Sequence, residues 1–147
     1  MNKIILNIKF YIDYPSWFPC KDILKFWLNT IFEKYSKRII KITLCIVNKS
    51  ISRELNKLWR NKDNPTNILT FPFVIPVFKI LPIYSDIIVC SELIKNESLL
   101  LKQSVKNYWA YIIVHSSLHL MGYNHNNFKS ARKMKKAEKY FLNLLSL

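Results

Sequence analysis

Val105-Lys-Asn-Tyr-Trp-Ala-Tyr-Ile-Ile-Val-His115-Ser-Ser-Leu-His119-Leu-Met-Gly122-Tyr-Asn-His125 is the stretch around which the rest of the chain arranges itself. It predicts a long helix over 104–121, in which Val105, Trp109, Ile112 and Ile113 suit a buried position. All three histidines of the chain fall in its last eleven residues. His115 and His119 are i and i+4, so on a helix they share a face, with Cβ atoms about 6 Å apart. Both rings can then reach one ion at about 2.0–2.1 Å. Gly122 is the only glycine. It stands one turn past His119, where a left-handed residue ends a helix and turns the chain back. His125 can then close the triangle. Three neutral imidazoles and one open position make the pattern of a catalytic zinc site.

Outward from this helix the chain reads as alternating short elements. Strands are predicted over Ile4–Ile12, Ile39–Val47 and Ser85–Cys90, and an extended edge segment over Asn67–Phe73, where Pro72 cannot donate to a ladder. Helices are predicted over Asp22–Tyr35, with Ile23, Phe26/Trp27 and Ile31 on one face, and from Ser50, as a cap, to Trp59, with Leu55 and Leu58 apolar. A further helix is expected from Ser91 to about Leu101. The last one, Phe128–Leu145, sets Ala131, Met134, Phe141 and Leu145 against Lys129, Arg132, Lys133, Lys135, Lys136 and Lys139. Asn61–Pro65 reads as a turn and Val74–Pro82 as an apolar loop. The expected fold is α+β: a small mixed sheet of about four strands packed with about five helices, with a central helix carrying the metal ligands. At 147 residues the chain reads as one domain, 1–147.

Composition narrows the function. Half of the residues are hydrophobic and 14 % are aromatic, which argues against disorder. The net charge of +14 favours a polyanionic partner, nucleic acid before membrane. Nineteen of the 23 basic residues are lysine, part of which reflects a compositional bias instead of a binding function. Cys20, Cys45 and Cys90 are dispersed, without a CxxC pair, so buried free thiols in a reducing cytoplasm are expected. The alternating start of the chain does not read as a signal peptide. Ile68 to Phe78, the most apolar run, is interrupted by Pro72 and Pro76 and is too short to span a bilayer.

A +2 ion on three neutral imidazoles lowers the pKa of bound water from about 15.7 to near 7 and can polarise a phosphoryl or carbonyl oxygen. Phosphodiester attack also calls for a cation on the far side of the nonbridging oxygens. Arg60, one of four arginines, can grip two such oxygens, or can simply offset the dipole at a helix C-terminus. The basic last helix suits a sugar–phosphate backbone, or is a solvated outer face. The order H-x-x-x-H-x-x-G-x-x-H also matches metzincin peptidases. Those enzymes place a glutamate base directly after the first histidine, where this chain has Ser116, and a serine hydroxyl is a poor base near neutral pH.

Three blocks in one order resemble the YbeY family of bacterial endoribonucleases, along nearly the whole chain. Leu55 to Pro72 is similar to LN..YR..D.PTNVLSFP, Ser85-Asp86-Ile-Ile-Val-Cys90 to GDIVIC, and His115 to His125 to HGxLHLxGYDH. The resemblance implies a zinc-dependent, single-strand-directed endoribonuclease of the cytoplasm. It implies action in 3′-end maturation of small-subunit (16S) ribosomal RNA and in ribosome quality control, with RNA and the ribosome as partners. It implies His115, His119 and His125 as ligands of one Zn2+ and Arg60 as the functional arginine beside the metal. Thr66, Asn67 and Asp86 lie in the same motifs, with turn hydrogen bonds expected for the first two and a strand-start or supporting contact for Asp86. The chain departs from the family pattern at Ser85, Tyr111, Ser116 and Asn124, and in its basic last helix. A ribosome assembly factor with a structural zinc and a metallopeptidase are the competing readings.

Overall fold

The computed structural model describes residues 3–15 and 17–145. The elements run β1 (Ile4–Phe10), α1 (Lys21–Phe32), β2 (Ile40–Ile46), α2 (Lys49–Arg60), β3 (Ile68–Thr70), β4 (Ile83–Val89), α3 (Ser91–Leu100), α4 (Val105–Leu120) and α5 (Phe128–Leu144). This is the α+β class expected, with four strands and five helices. The sheet order is β1-β2-β4-β3; β1, β2 and β4 are parallel, and β3 lies antiparallel to β4 at the edge.

The strands alternate at period two, so one sheet face is apolar. Ile4 and Leu6 of β1, Ile40, Ile42, Leu44 and Ile46 of β2, and Ile83, Ile87 and Val89 of β4 are all buried. Helices α1 and α4 cover this face, with Trp27 of α1 and Trp109 of α4 almost fully enclosed. The other face of β4 shows Tyr84 and Asp86 to solvent. Met134, fully buried, is the anchor by which α5 packs on α4.

Several expectations shift. The edge segment is regular strand over Ile68–Thr70, flanked by bonds from the Phe71 amide to the Asp86 carbonyl and from the Cys90 amide to the Asn67 carbonyl, and it regains one bridge, Val74 to Tyr84, beyond Pro72. Asn48, not Ser50, caps α2, because its side chain accepts from the Ile51 amide three residues on. Of the two apolar residues noted on α2, Leu58 is 72 % exposed. Polar bonds fix this helix instead. The Thr66 amide donates to Ser52 Oγ and Asn56 Nδ2 donates to the Asn64 carbonyl. On α1, Trp27 and Ile31 turn inward as read, whereas Phe26 is exposed. The three cysteines are free, but Cys20 is exposed and Cys45 only partly covered, so burial holds for Cys90 alone. Among the described residues no helix is long and apolar enough to cross a membrane.

Candidate metal centre

Helix α4 opens at Ser104, whose hydroxyl accepts from the Asn107 amide, and it closes in a Schellman turn. The Gly122 amide donates to the His119 carbonyl and the Tyr123 amide to the Leu118 carbonyl. Gly122 has φ +100°, a conformation that side chains rarely adopt. The reversal carries His125, in the loop before α5, back over the helix. Its ring lies 5.3 Å from that of His115 and 5.4 Å from that of His119, centroid to centroid.

One nitrogen from each of the three rings lies within 4.8 Å of the others. The Nε2 atoms of His115 and His119 are 3.2 Å apart. Four ligands at about 2.0–2.1 Å from a tetrahedral ion are separated by about 3.3–3.4 Å, so the donor set suits one such cation. Burial and its two histidine neighbours lower the pKa of His119, which favours the neutral form that a metal requires.

Glu138 of α5 completes the arrangement. Its carboxylate accepts from His115 Nδ1 at 2.6 Å, a short charge-assisted bond on a side chain only 12 % exposed. That bond fixes the tautomer of His115 and leaves Nε2 free for an ion. Burial, with the nearby Glu138 carboxylate, raises the pKa of Tyr111, whose ring lies 5.7 Å from that of His115. Glu138 lies in none of the sequence motifs. Asn124 does not take this part; its side chain accepts from the Asn126 amide and shapes the loop.

A cleft of about 570 Å3 opens beside the cluster, lined by His115 and His119 on α4 and by Arg60, Thr66, Asn67 and Thr70 among others. Arg60, the last residue of α2, donates through Nη2 to the Ile68 carbonyl at 3.3 Å. Desolvation there lowers its pKa from the usual arginine value. Thr66 and Asn67 have supporting bonds: Thr66 Oγ1 donates to the Ile68 carbonyl, and Asn67 Nδ2 donates to Glu97. Glu97 also accepts from Tyr108, whose pKa burial, with the adjacent Glu97 carboxylate, pushes up to about 12. Asp86 is exposed in the middle of β4 and lines no part of the cleft. Ser116 is buried, and its hydroxyl donates to the Ile113 carbonyl of its own helix.

The solution structure of TM1509 from Thermotoga maritima superposes with a TM-score of 0.60, at 22 % identity, over 96 % of this chain and 89 % of that one, which is a likeness of fold. A curated Wigglesworthia glossinidia brevipalpis protein named endoribonuclease YbeY is 39 % identical over 145 residues, which cover 98 % of this chain and 95 % of the relative. The profile of the family described as endoribonuclease YbeY matches residues 13–146. The chain therefore belongs to the YbeY endoribonuclease family.

Proposed function

We propose that this protein is a single-strand-directed endoribonuclease that holds one Zn2+ on His115, His119 and His125, and that it hydrolyses RNA phosphodiester bonds. The observation that carries the reading is three imidazole nitrogens converging within 4.8 Å at the wall of an open cleft that also holds Arg60. The family adds the rest of the proposal. The substrate is small-subunit ribosomal RNA at its 3′ end, the setting is ribosome maturation and quality control in the cytoplasm, and residues 1–147 act as one domain.

The bound ion would supply Lewis acidity at a phosphoryl oxygen and water of lowered pKa. The chain's own residues do the remaining work. Arg60 binds nonbridging oxygens of the scissile phosphate and offsets the charge that grows on them in the transition state. Glu138 holds His115 in one tautomer and one orientation. An unpaired strand suits such a site, because its bases can splay away from the backbone and leave the phosphate within reach.

The competing readings have less support. Ser116 is buried and bonded to the helix, so it offers no base for peptide hydrolysis. A purely structural zinc calls for a fourth protein ligand, and among the described residues the cluster has three. The test is cleavage of a single-stranded RNA oligonucleotide by the purified chain. Cleavage should vanish on adding chelator and in His119→Ala. Cleavage that survives both belongs to a contaminating nuclease and removes the reading.

A further inference from the structure

Helix α5 concentrates charge. Six of its 17 residues are cationic: Lys129, Arg132, Lys133, Lys135, Lys136 and Lys139. Its one acidic residue, Glu138, is turned inward onto His115. The outer face therefore presents no carboxylate of its own, and among the described residues no ion pair reaches any of the six. Many of these cations stand at i, i+3 or i, i+4, where like charges repel and weaken a helix. At about 100° per residue, Arg132, Lys135, Lys136 and Lys139 share the side of α5 turned away from Met134 and Glu138. Together they line a shallow trough of about 300 Å3.

A row of unpaired cations flanking a trough suits a polyanion with repeating charges. An anionic membrane needs more, because a helix lying on lipid presents a continuous apolar row beside its cations. Met134, Ala137 and Phe141 pack into the core, and the exposed apolar residues of α5, Phe128, Tyr140 and Leu144, stand toward its two ends and form no continuous row. Phe128, at the N-terminal end, lies under Arg132. The face is also turned away from the metal cluster, so a strand seated in the cleft does not reach it without crossing the helix. From Arg132 to Lys139 the helix rises about 10 Å, the length over which one strand of a duplex presents about three phosphates.

We propose that the outer face of α5 docks the sugar–phosphate backbone of a second RNA segment, a helix flanking the unpaired stretch held in the cleft. The choice of RNA as the polyanion rests on the endoribonuclease reading. The contact carries no base readout and fixes only where the RNA lies.

The test is salt-dependent binding of two RNAs, an unpaired oligonucleotide and the same oligonucleotide joined to a hairpin. It uses the full chain and the triple variant Lys135→Gln, Lys136→Gln, Lys139→Gln. The hairpin should tighten binding to the native chain and give the steeper salt dependence. The triple variant should lose that gain, with a log–log salt slope lower by about 2–3 for the hairpin RNA. A second variant, Lys135→Arg, Lys136→Arg, Lys139→Arg, keeps the charge and should keep the slope. An equal slope in the native and glutamine proteins would overturn the proposal, as would vesicles of phosphatidylserine binding in place of the hairpin. Cleavage of the unpaired oligonucleotide is scored separately. Cleavage without a hairpin effect removes α5 alone, and a hairpin effect without cleavage removes the nuclease reading alone.

Discussion

The Glu138 carboxylate accepts from His115 Nδ1, and that contact is not visible in the sequence. The histidines were legible because they are the only three in the chain and share one stretch. Glu138 lies 13 residues past His125, among lysines, and only the packing of α5 on α4 brings it to the site. A signal did exist. It is the lone acid in a basic helix, four residues from Met134 and so on the same inward face. In Glu138→Gln the amide keeps the shape and a hydrogen bond but loses the charge. Zinc affinity measured by calorimetry should fall about 10–100-fold, whereas unchanged affinity would mean the carboxylate does not orient the ligand. Arg60 poses a different question, since both of its sequence readings survive: it ends α2 and it faces the cleft. Arg60→Lys keeps the charge at the helix end but loses the planar fork. If the guanidinium grips phosphate, kcat should drop about 10²–10³-fold with little change in melting temperature. A loss of stability with kcat retained would return Arg60 to a helix-end role.

At the scale of elements, the loop from α4 to α5 is the part most tightly specified by a single residue. Gly122 holds φ +100°, and a Cβ built there meets nothing within 4 Å. The penalty of Gly122→Ala is therefore one of backbone conformation, about 1–2 kcal/mol. The expected readouts are a fall in melting temperature of about 2–8 °C and weaker metal binding, because His125 hangs on that turn. A variant that melts lower yet binds zinc as tightly would show that His125 does not depend on the reversal. The same turn was readable in the sequence, since a sole glycine one turn past the second histidine has few other uses. Helix α2 was read less well. Leu55 and Leu58 are apolar, yet Leu58 stands in solvent. The bonds that hold the helix, Ser52 to Thr66 and Asn56 to Asn64, join side chains to a loop, and hydrophobic periodicity carries no trace of such contacts. Strand Ile83–Val89 began two residues earlier than read, because Ile83 joins Ser85, Ile87 and Val89 on the inner face.

Over the whole molecule, one helix serves both as the centre of the core and as the platform for the site. Trp109, Ile113 and Leu118 of α4 lie among the most deeply buried side chains, and His115 and His119 project from the same helix toward the cleft. The class of fold followed from the period of each segment. The strand order β1-β2-β4-β3 did not, because β3 precedes β4 in the chain yet lies outside it at the edge, and period-two alternation does not say which neighbour a strand chooses. The shared helix has a thermodynamic consequence. The donor atoms belong to α4 and to the loop beyond it, so an ion joining all three histidines binds the native arrangement and not a chain in which they are scattered. Binding to the native state alone stabilises it by about 2.7 kcal/mol at a free metal concentration 100 times the dissociation constant. The purified chain, stripped and then titrated with zinc, should show a melting temperature that climbs with metal concentration and keeps climbing logarithmically past saturation. His119→Ala should melt close to the stripped protein and gain little from added zinc. A melting temperature that ignores zinc in the native chain would mean the three rings do not share an ion, and it would do so without any measurement of RNA cleavage.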